Sequence, residues 1–198
     1  MWGWFYLSTI RDDYSRHIIG WKLCTTMKVA DVTDTQELAL ETSGCDSAKA
    51  IQKPRPLSDN GSSYVGYDLA DYLEDKGMDH VRGAPHHPQT QGKIERWHQT
   101  MKERVPLENS FLPGDLERQI SSLVDHYNNH RCHESLSNMT PTDAYHRRGA
   151  NTLKMREEIK KTENPKTSVA LPIRCCLNSN RNRTGASVMK LPQLSGNL

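Results

Sequence analysis

Two short runs of aromatic and β-branched residues flank a polar segment near the start of the chain. Residues 2–10 and 17–25 form these runs, and Asp12, Asp13 and Ser15 lie between them. Such runs are typical of β-strands, and Asp and Ser favour tight turns. The pattern therefore predicts an antiparallel hairpin.

Apolar residues then recur at helical spacing, and a strand, a helix and a second strand follow. The first helix is predicted to end near Gly44 from the spacing of Val29, Val32, Ala39 and Leu40. The next segments are an extended run at about 50–58, a helical face at Leu69, Tyr72 and Leu73 that stops at Gly77, and a short run at 78–82. Strand, helix and strand at this spacing predict a βαβ unit with a parallel pair. Asp59, in the turn signal Asp59-Asn60-Gly61, would then stand at the carboxyl end of the first of these strands.

The rest of the chain predicts two more helices and a poorly ordered end. Residues 83–92 contain two prolines and two glycines, which indicates an irregular loop. A helix should begin near Lys93 and end before Pro106, because proline cannot continue a helix. Another should begin near Pro113, with one stripe formed by Leu116, Ile120, Leu123 and Tyr127. From about Asn164 the periodicity is lost, and we expect little order there.

Length and charge predict one compact domain with a basic attachment. The 198 residues, 35% of them hydrophobic, are enough for one core. We assign the core to residues 1–148 and a largely irregular tail to 149–198. Residues 147–198 hold 11 Lys and Arg against 3 Asp and Glu, so the basic excess lies in the tail. Such a tail can follow a phosphate backbone or simply be solvated.

The apolar runs predict a protein outside the membrane. None of them approaches the roughly 20 residues that a membrane span requires. The start of the chain also lacks the basic and apolar segments of a signal peptide. We therefore expect a soluble, cytoplasmic protein with no membrane partner.

Two carboxylates are the strongest candidates for chemistry. Asp59 ends a predicted strand, Glu95 lies in the first turn of a predicted helix, and 35 residues separate them. Carboxylates at the edge of a sheet can hold Mg²⁺, which prefers oxygen ligands. A solvated turn Asp and a helix-surface Glu are the ordinary explanation for any such pair, so the pair alone indicates little.

The sequence around the two carboxylates resembles a known family. The matching blocks are Leu57-Ser-Asp-Asn-Gly-Ser-Ser-Tyr64, His87-Pro-Gln-Thr-Gln-Gly-Lys-Ile-Glu-Arg-Trp-His98, and Tyr127-Asn-Asn-His-Arg-Cys-His-Glu-Ser-Leu136 followed by Thr140-Pro141. Together with Asp12-Asp-Tyr-Ser-Arg16 they resemble the integrase catalytic core of bacterial insertion-sequence transposases, kin to retroviral integrases. The order of the blocks is also that of the family, and they cover about residues 2–148.

The resemblance implies a fold, a site and a cofactor. The fold is α/β and ribonuclease H-like, with a mixed central sheet flanked by helices. The family uses an Asp, Asp, Glu triad whose last two members are separated by 35 residues, so Asp59 and Glu95 are implied as catalytic residues and metal ligands. The metal is Mg²⁺ or Mn²⁺, with two ions where the triad is complete. A basic residue seven positions after the Glu is usual in the family, and Lys102 occupies that position. Lys93, Arg96 and Lys102 are the implied DNA contacts.

One departure from the family pattern concerns the first Asp of the triad. In the family this Asp lies on a strand before the hairpin, whereas this sequence begins inside the second strand. No residue aligns with that first Asp, and Asp12 and Asp13 are better explained as turn residues. We therefore expect an N-terminally truncated copy with the first strand missing, an unpaired place in the sheet and impaired catalysis.

The resemblance implies metal-dependent DNA cleavage and strand transfer in transposition. The partners would be DNA, both transposon ends and target, and further copies of the chain. When bound to DNA the protein would be associated with the bacterial nucleoid. The alternative is a non-catalytic DNA-binding remnant that associates with or inhibits complete transposases. A nuclease on the same fold is a third possibility, which the blocks at 89–92 and 127–136 disfavour.

Two local questions stay open at this stage. The spacing of His126, His130, Cys132 and His133 is compatible with zinc, although the resemblance accounts for these residues without a metal. Trp97 can either pack in the core or stack on a base, and we favour packing.

Overall fold

The computed structural model describes residues 4–45, 53–83, 92–105, 113–163 and 183–191. In these residues five strands form one mixed sheet with helices on both faces. In chain order the elements are β1 (Phe5–Asp12), β2 (Ile18–Cys24), α1 (Val29–Ser43), β3 (Arg55–Ser58), α2 (Ser62–Val65), α3 (Tyr67–Asp75), β4 (Val81–Arg82), α4 (Gly92–Arg104), α5 (Pro113–Asn129), a 3-10 turn (Glu134–Leu136), α6 (Pro141–Tyr145), α7 (Gly149–Glu163) and β5 (Arg183–Leu191). The predicted α/β class with a mixed central sheet is confirmed.

The predicted hairpin is confirmed and forms one edge of the sheet. β1 and β2 are antiparallel, with Tyr6 opposite Cys24 and Ile10 opposite Gly20. Asp12 holds the turn, because its Oδ2 accepts hydrogen bonds from the backbone N and the Oγ of Ser15 at 2.7 and 2.6 Å. The turn role predicted for Asp12 is therefore confirmed.

The hairpin buries apolar residues on both faces of the sheet. Leu7 and Ile18 pack with α4 and α5, whereas Ile10 and Ile19 pack with α1 and α3. On the second face α1 approaches β2 closely, since a Cβ at Gly20 would lie 3.2 Å from the Cβ of Ala39. A larger residue at position 20 would push this helix away from the sheet.

The predicted βαβ unit is also confirmed. β3 and β4 are parallel, with Leu57 opposite Val81. Between them α3 ends at Asp75, just before Gly77, whose φ of 65° is left-handed and favours glycine. The short helix α2 was not predicted, and the extended run expected from about residue 50 lies partly outside the described residues.

α4 and α5 cover the other face of the sheet at the predicted places. α4 begins at Gly92 and ends at Arg104, and α5 carries the predicted stripe, of which Leu116, Ile120 and Tyr127 are buried. The loop predicted for residues 83–92 lies mostly outside the described residues. No helix in the described ranges is long and apolar enough to cross a membrane.

The expected unpaired place beside the hairpin is filled by a strand from the tail, which corrects the prediction. β5 lies between β1 and β3 and is antiparallel to β1 over eight residues, from Phe5 opposite Leu191 to Asp12 opposite Thr184. It is parallel to β3, with Leu57 opposite Gly185. β5 provides hydrogen-bond partners for the backbone of β1 and β3. It was missed because pairing between segments so far apart in sequence leaves no periodic pattern in the tail.

Two regular elements lie within the tail that was predicted to be largely irregular. α7 covers residues 149–163, and β5 covers residues 183–191. Arg156 of α7 donates hydrogen bonds to the carbonyls of Ser137 and Asn138 at 2.8 and 3.2 Å. Residues 164–182 and 192–198 lie outside the described part, and the division at 148/149 stays a prediction.

Asn128 docks α5 on the sheet. Its Oδ1 accepts a hydrogen bond from the backbone N of Ile18 at 2.9 Å, and its Nδ2 donates to the carbonyl of Ile18 at 3.0 Å. Both groups of Ile18 are buried with Asn128. The side chain of Asn128 therefore forms the two hydrogen bonds with the backbone of β2 that a neighbouring strand would form. This gives a structural role to the first Asn of the block that begins at Tyr127.

We predict that Asn128→Ala lowers the free energy of unfolding by about 2–3 kcal/mol, because it removes two buried hydrogen bonds and leaves two backbone groups without partners. Urea denaturation of the full chain measures the change. Asn129→Ala is the matched control, since the bonds of Asn129 to Asp125 and Thr142 are exposed and should contribute under about 1 kcal/mol. Equal losses in the two variants would contradict the docking role.

Candidate functional site

Asp59 follows β3 directly and is half-buried. Its Oδ1 accepts a hydrogen bond from the backbone N of Gly61 at 2.9 Å. A Cβ at position 61 would lie 2.9 Å from that same oxygen, so only glycine fits this turn without displacing the carboxylate. Among the described residues the other carboxylate oxygen has no hydrogen bond, and it is available to a ligand.

The surroundings of Asp59 hold it firmly. Asn60 donates to the carbonyl of Gly83 at 3.1 Å, and the backbone N of Gly83 donates to the carbonyl of Ser58 at 2.9 Å, which joins the ends of β3 and β4. Tyr64 is buried nearby, and its pKa is raised by burial and then by the negative charge of Asp59. The carboxylate thus has a fixed position at the carboxyl end of the parallel pair.

Glu95 is exposed in the first turn of α4, and the start of that helix is tied to the hairpin. The buried Arg11 of β1 donates to the carbonyl of Lys93 at 2.6 Å. Lys93 Nζ lies 2.9 Å from both the carbonyl and the Oδ1 of Asp13. These contacts fix where the first turn of α4 stands relative to the sheet.

The sides of α4 can be assigned from its contacts with α5. Trp97 contacts α5, because its ring lies 4.6 Å from that of Tyr127. Thr100 contacts Arg131, two residues beyond the end of α5, whose Nη1 lies 3.4 Å from its Oγ1. Since residues on a helix are about 100° apart, Glu95 and Lys102 share the side of α4 that is turned away from α5.

The strand order shows what this side of α4 approaches. α5 contacts β2, α4 contacts β5, and the strand beyond β5 is β3. The Glu95 side of α4 is therefore turned toward the strand that carries Asp59. That Asp59 and Glu95 lie close enough to share one metal ion stays a prediction.

His98 lies beside Glu95 and Lys102 on α4 and is largely buried. Burial, and to a smaller extent the positive charges of Lys102 and Arg11, lower its pKa to about 4. The imidazole is therefore neutral at neutral pH, and its Nε2 is buried without a hydrogen-bond partner in the described part of the chain. No signal in the sequence distinguished this histidine.

The three predicted DNA contacts differ in their surroundings. Arg96 and Lys102 are exposed. Lys93 is about half exposed, and its ammonium forms an ion pair with Asp13. A phosphate would therefore compete with Asp13 for Lys93, and the assignment of all three residues as DNA contacts stays a prediction.

The donor set can be compared with the needs of a metal. Among the residues described, no group of three His, Cys, Asp or Glu is close enough to hold an ion. Asp59 has one available oxygen, and no hydrogen bond of Glu95 occurs within the described ranges. Mg²⁺ is commonly bound by only one or two carboxylates together with substrate oxygens. Two carboxylates that meet as predicted would fit one ion, whereas a second ion would require further ligands.

The histidines in the last turn of α5 and after it are engaged in ring contacts. His126 and His130 stack with their ring centroids 5.8 Å apart, and His133 packs edge-on against Tyr127 at 5.1 Å. The Nδ1 of His133 lies 3.4 Å from Arg16. These contacts account for the block without zinc.

Several residues that position the site were missed from the sequence. Arg11 and Asp13 set the start of α4, and Asn128 docks α5. Each acts on a residue at least 80 positions away, so no local pattern could have indicated its role.

Comparison with known proteins assigns the family. Two family models, both described as "Integrase core domain", match residues 1–88 and 76–141. The chain belongs to the integrase core family. The recognition made from the motif blocks is thereby confirmed.

Two curated relatives of this integrase core are named for insertion-sequence transposases. The one from Mycobacterium tuberculosis (strain CDC 1551 / Oshkosh), for element IS986/IS6110, is 24% identical over 148 residues, which are 71% of this chain and 51% of the relative. The one from Shigella sonnei, for IS629, is 27% identical over 143 residues, which are 72% and 46%. The chain spans about half the length of these relatives.

Solved retroviral structures share the fold of this integrase core. The chain is similar to one in the simian T-cell lymphotropic virus intasome in complex with the PP2A regulatory subunit B56 gamma, with a TM-score of 0.60 and 16% identity over 72% of this chain and 48% of that one. It is also similar to the HTLV-2 integrase catalytic core in complex with magnesium, with a TM-score of 0.54 and 16% identity over 71% and 84%. The predicted ribonuclease H-like fold is confirmed.

Proposed function

We propose that this integrase core acts on DNA in transposition through Asp59 and Glu95, and that its cutting activity is impaired. The observation that carries the proposal is that Asp59 is held at the carboxyl end of β3 with one oxygen available, while Glu95 is exposed in the first turn of α4 on the side turned away from α5. Their partners would be transposon ends and target DNA on the bacterial nucleoid. The names of the transposase relatives support this substrate class.

The roles of the residues follow from their chemistry. Mg²⁺ or Mn²⁺, bound with the scissile phosphate, would supply a charge that neutralises the oxygens of an in-line displacement. Asp59, held by the backbone N of Gly61, would be a rigid ligand, whereas the exposed Glu95 can adjust to the substrate. Lys102, two helical turns beyond Glu95, would bind a neighbouring phosphate.

The impairment follows from the number of carboxylates. The sequence of β5, Arg-Thr-Gly-Ala-Ser-Val-Met-Lys-Leu at 183–191, adds no acid to the centre of the sheet. With Asp59 and Glu95 as its only acids the site would hold one ion weakly, and the clamp of two ions would be incomplete. A further chain segment with an Asp would have to complete it.

The alternative is a DNA-binding protein without catalysis that associates with complete transposases. The basic composition of residues 147–198 favours it, because phosphate binding requires no metal. Assembly with further copies belongs to both proposals. The trimeric and dimeric forms named for the HTLV-2 core support it.

The test compares cutting and binding in the same variants. We expect weak strand transfer of labelled duplex ends in Mn²⁺ that Glu95→Gln and Asp59→Asn reduce at least 100-fold, because each removes a metal ligand. Glu103→Gln is the matched control, since Glu103 is exposed on the same helix and bonds only Gln99 among the described residues.

Binding measured by gel shift in EDTA separates the two proposals. If the unchanged chain cuts DNA and Glu95→Gln abolishes this cutting, the non-catalytic alternative is excluded. Binding without cutting in every variant favours the alternative and rules out the catalytic proposal for this chain alone.

A further inference from the structure

Arg11, Arg16 and Arg131 lie around the packed rings of Tyr127 and His133. Arg131 lies over the Tyr127 ring at 5.6 Å, and the buried Arg11 lies close enough to Tyr127 for the two side chains to interact electrostatically. Arg16, in the hairpin turn, lies 3.4 Å from the Nδ1 of His133, whose ring contacts Tyr127 at 5.1 Å. The cluster thus joins the hairpin turn to the residues that follow α5.

This clustering of positive charge lacks a matching negative charge. In the described ranges neither Arg16 nor Arg131 has a carboxylate within ion-pair distance, and Asp13, whose charge acts on Arg11, is paired with Lys93. The pKa of His133 is lowered to about 4 by burial and then by Arg16, Arg131 and Arg11, so His133 is neutral and contributes no further charge. Like charges held together raise the free energy of the fold, and an anion between them would lower it.

The backbone at Arg16 adds an independent observation. Its φ of 65° lies in the left-handed region, which glycine and asparagine adopt more easily than arginine. The turn itself is held by Asp12 and Ser15 and by the backbone bond from Asp12 N to the carbonyl of His17 at 2.9 Å. An arginine at this position is therefore not explained by the needs of the turn.

We propose that Arg16 and Arg131 together bind a phosphate of the DNA backbone. Guanidinium groups suit this ligand because they donate several hydrogen bonds in a fixed plane. Arg131 lies on the α5 side of α4 through its contact with Thr100, whereas Glu95 and Lys102 lie on the other side. The two arginines would hold the duplex at a second place and set its orientation relative to the carboxylates. This inference rests on the proposed action on DNA.

The test measures affinity of the full 198-residue chain for a short labelled duplex by fluorescence anisotropy in EDTA, from 50 to 300 mM salt. We expect Arg16→Gly and Arg131→Gln each to weaken binding about 3- to 10-fold. The slope of log affinity against log salt should fall by about 0.9 when the contact to one phosphate is lost. Arg118→Gln is the charge-matched control, because Arg118 is exposed on α5 and pairs locally with Asp115. It should change the slope by much less.

Arg16→Gly also separates a binding role from a structural one. Glycine relieves the left-handed backbone, so the urea midpoint of this variant should equal or exceed that of the unchanged chain. Weaker DNA binding at undiminished stability supports the proposal. A lower urea midpoint with an unchanged salt slope overturns it, as does an effect no larger than that of Arg118→Gln. If the unchanged chain fails to bind DNA at any salt concentration, the proposed function fails with it; binding that ignores both arginines overturns this inference alone.

Discussion

A chain shortened to end at Glu163 should either fail to fold or have a free energy of unfolding that is lower by several kcal/mol. Such a chain lacks β5, which is paired with β1 over eight residues and with β3 over three. Each lost backbone hydrogen bond contributes roughly 0.5–1.5 kcal/mol, and each group left buried without a partner costs more. Because small domains are stable by only about 5–15 kcal/mol, this loss is a large share of the total.

Urea denaturation followed by circular dichroism measures this effect. A chain that ends at Leu191 is the control, because it keeps β5. A synthetic peptide of residues 183–191 should restore part of the stability of the shortened chain by pairing at the vacant place. If the chain ending at Glu163 is as stable as the one ending at Leu191, β5 does not belong to the sheet in solution.

Trp97→Ala should lower the free energy of unfolding by about 3–5 kcal/mol, the usual cost of removing a large buried aromatic side chain. Trp97 is 1% exposed and packs edge-on against Tyr127, in the cluster that joins α4 and α5 to the sheet. The structure therefore favours packing over stacking on a base, as the sequence indicated. Trp97→Phe should cost less, because it retains an aromatic ring against Tyr127.

The control for this prediction is Trp4→Ala, since Trp4 is 50% exposed. Its urea midpoint should move by a small fraction of the change in Trp97→Ala. The fluorescence of Trp97 can be followed alone in a chain whose other three tryptophans are replaced by Phe. Adding DNA should not change this fluorescence. Strong quenching by DNA in that chain would return Trp97 to the DNA-contacting residues.

The prediction of the elements succeeded where the signal is local. α1, α3, α4 and α5 follow apolar residues at helical spacing, and Gly44 and Gly77 both adopt the left-handed conformation near the end of a helix. The turn between β1 and β2 follows from Asp12 and Ser15. In each case the residues that specify the structure lie within a few positions of one another.

The candidate site could be predicted only in part. The motif blocks, rather than the spacing alone, single out Asp59 and Glu95, and their roles stay a prediction. The family models match residues 1–88 and 76–141, which contain both residues. The sequence could not show that Lys93 pairs with Asp13. Nor could it show that His98 is largely buried and kept neutral by burial and by the charges of Lys102 and Arg11. Those facts depend on which charges the fold brings near each other.

Periodicity and turn chemistry were sufficient for the hairpin, the βαβ unit and the helices, because hydrogen bonds and apolar faces within one element act over short stretches of chain. The place of β5 between β1 and β3, and the meeting of Arg11, Arg16 and Arg131 around Tyr127, were settled only in the folded chain. Pairing between distant segments depends on which backbone groups and charges remain without partners once the local elements have formed. No local pattern in the sequence contains that information.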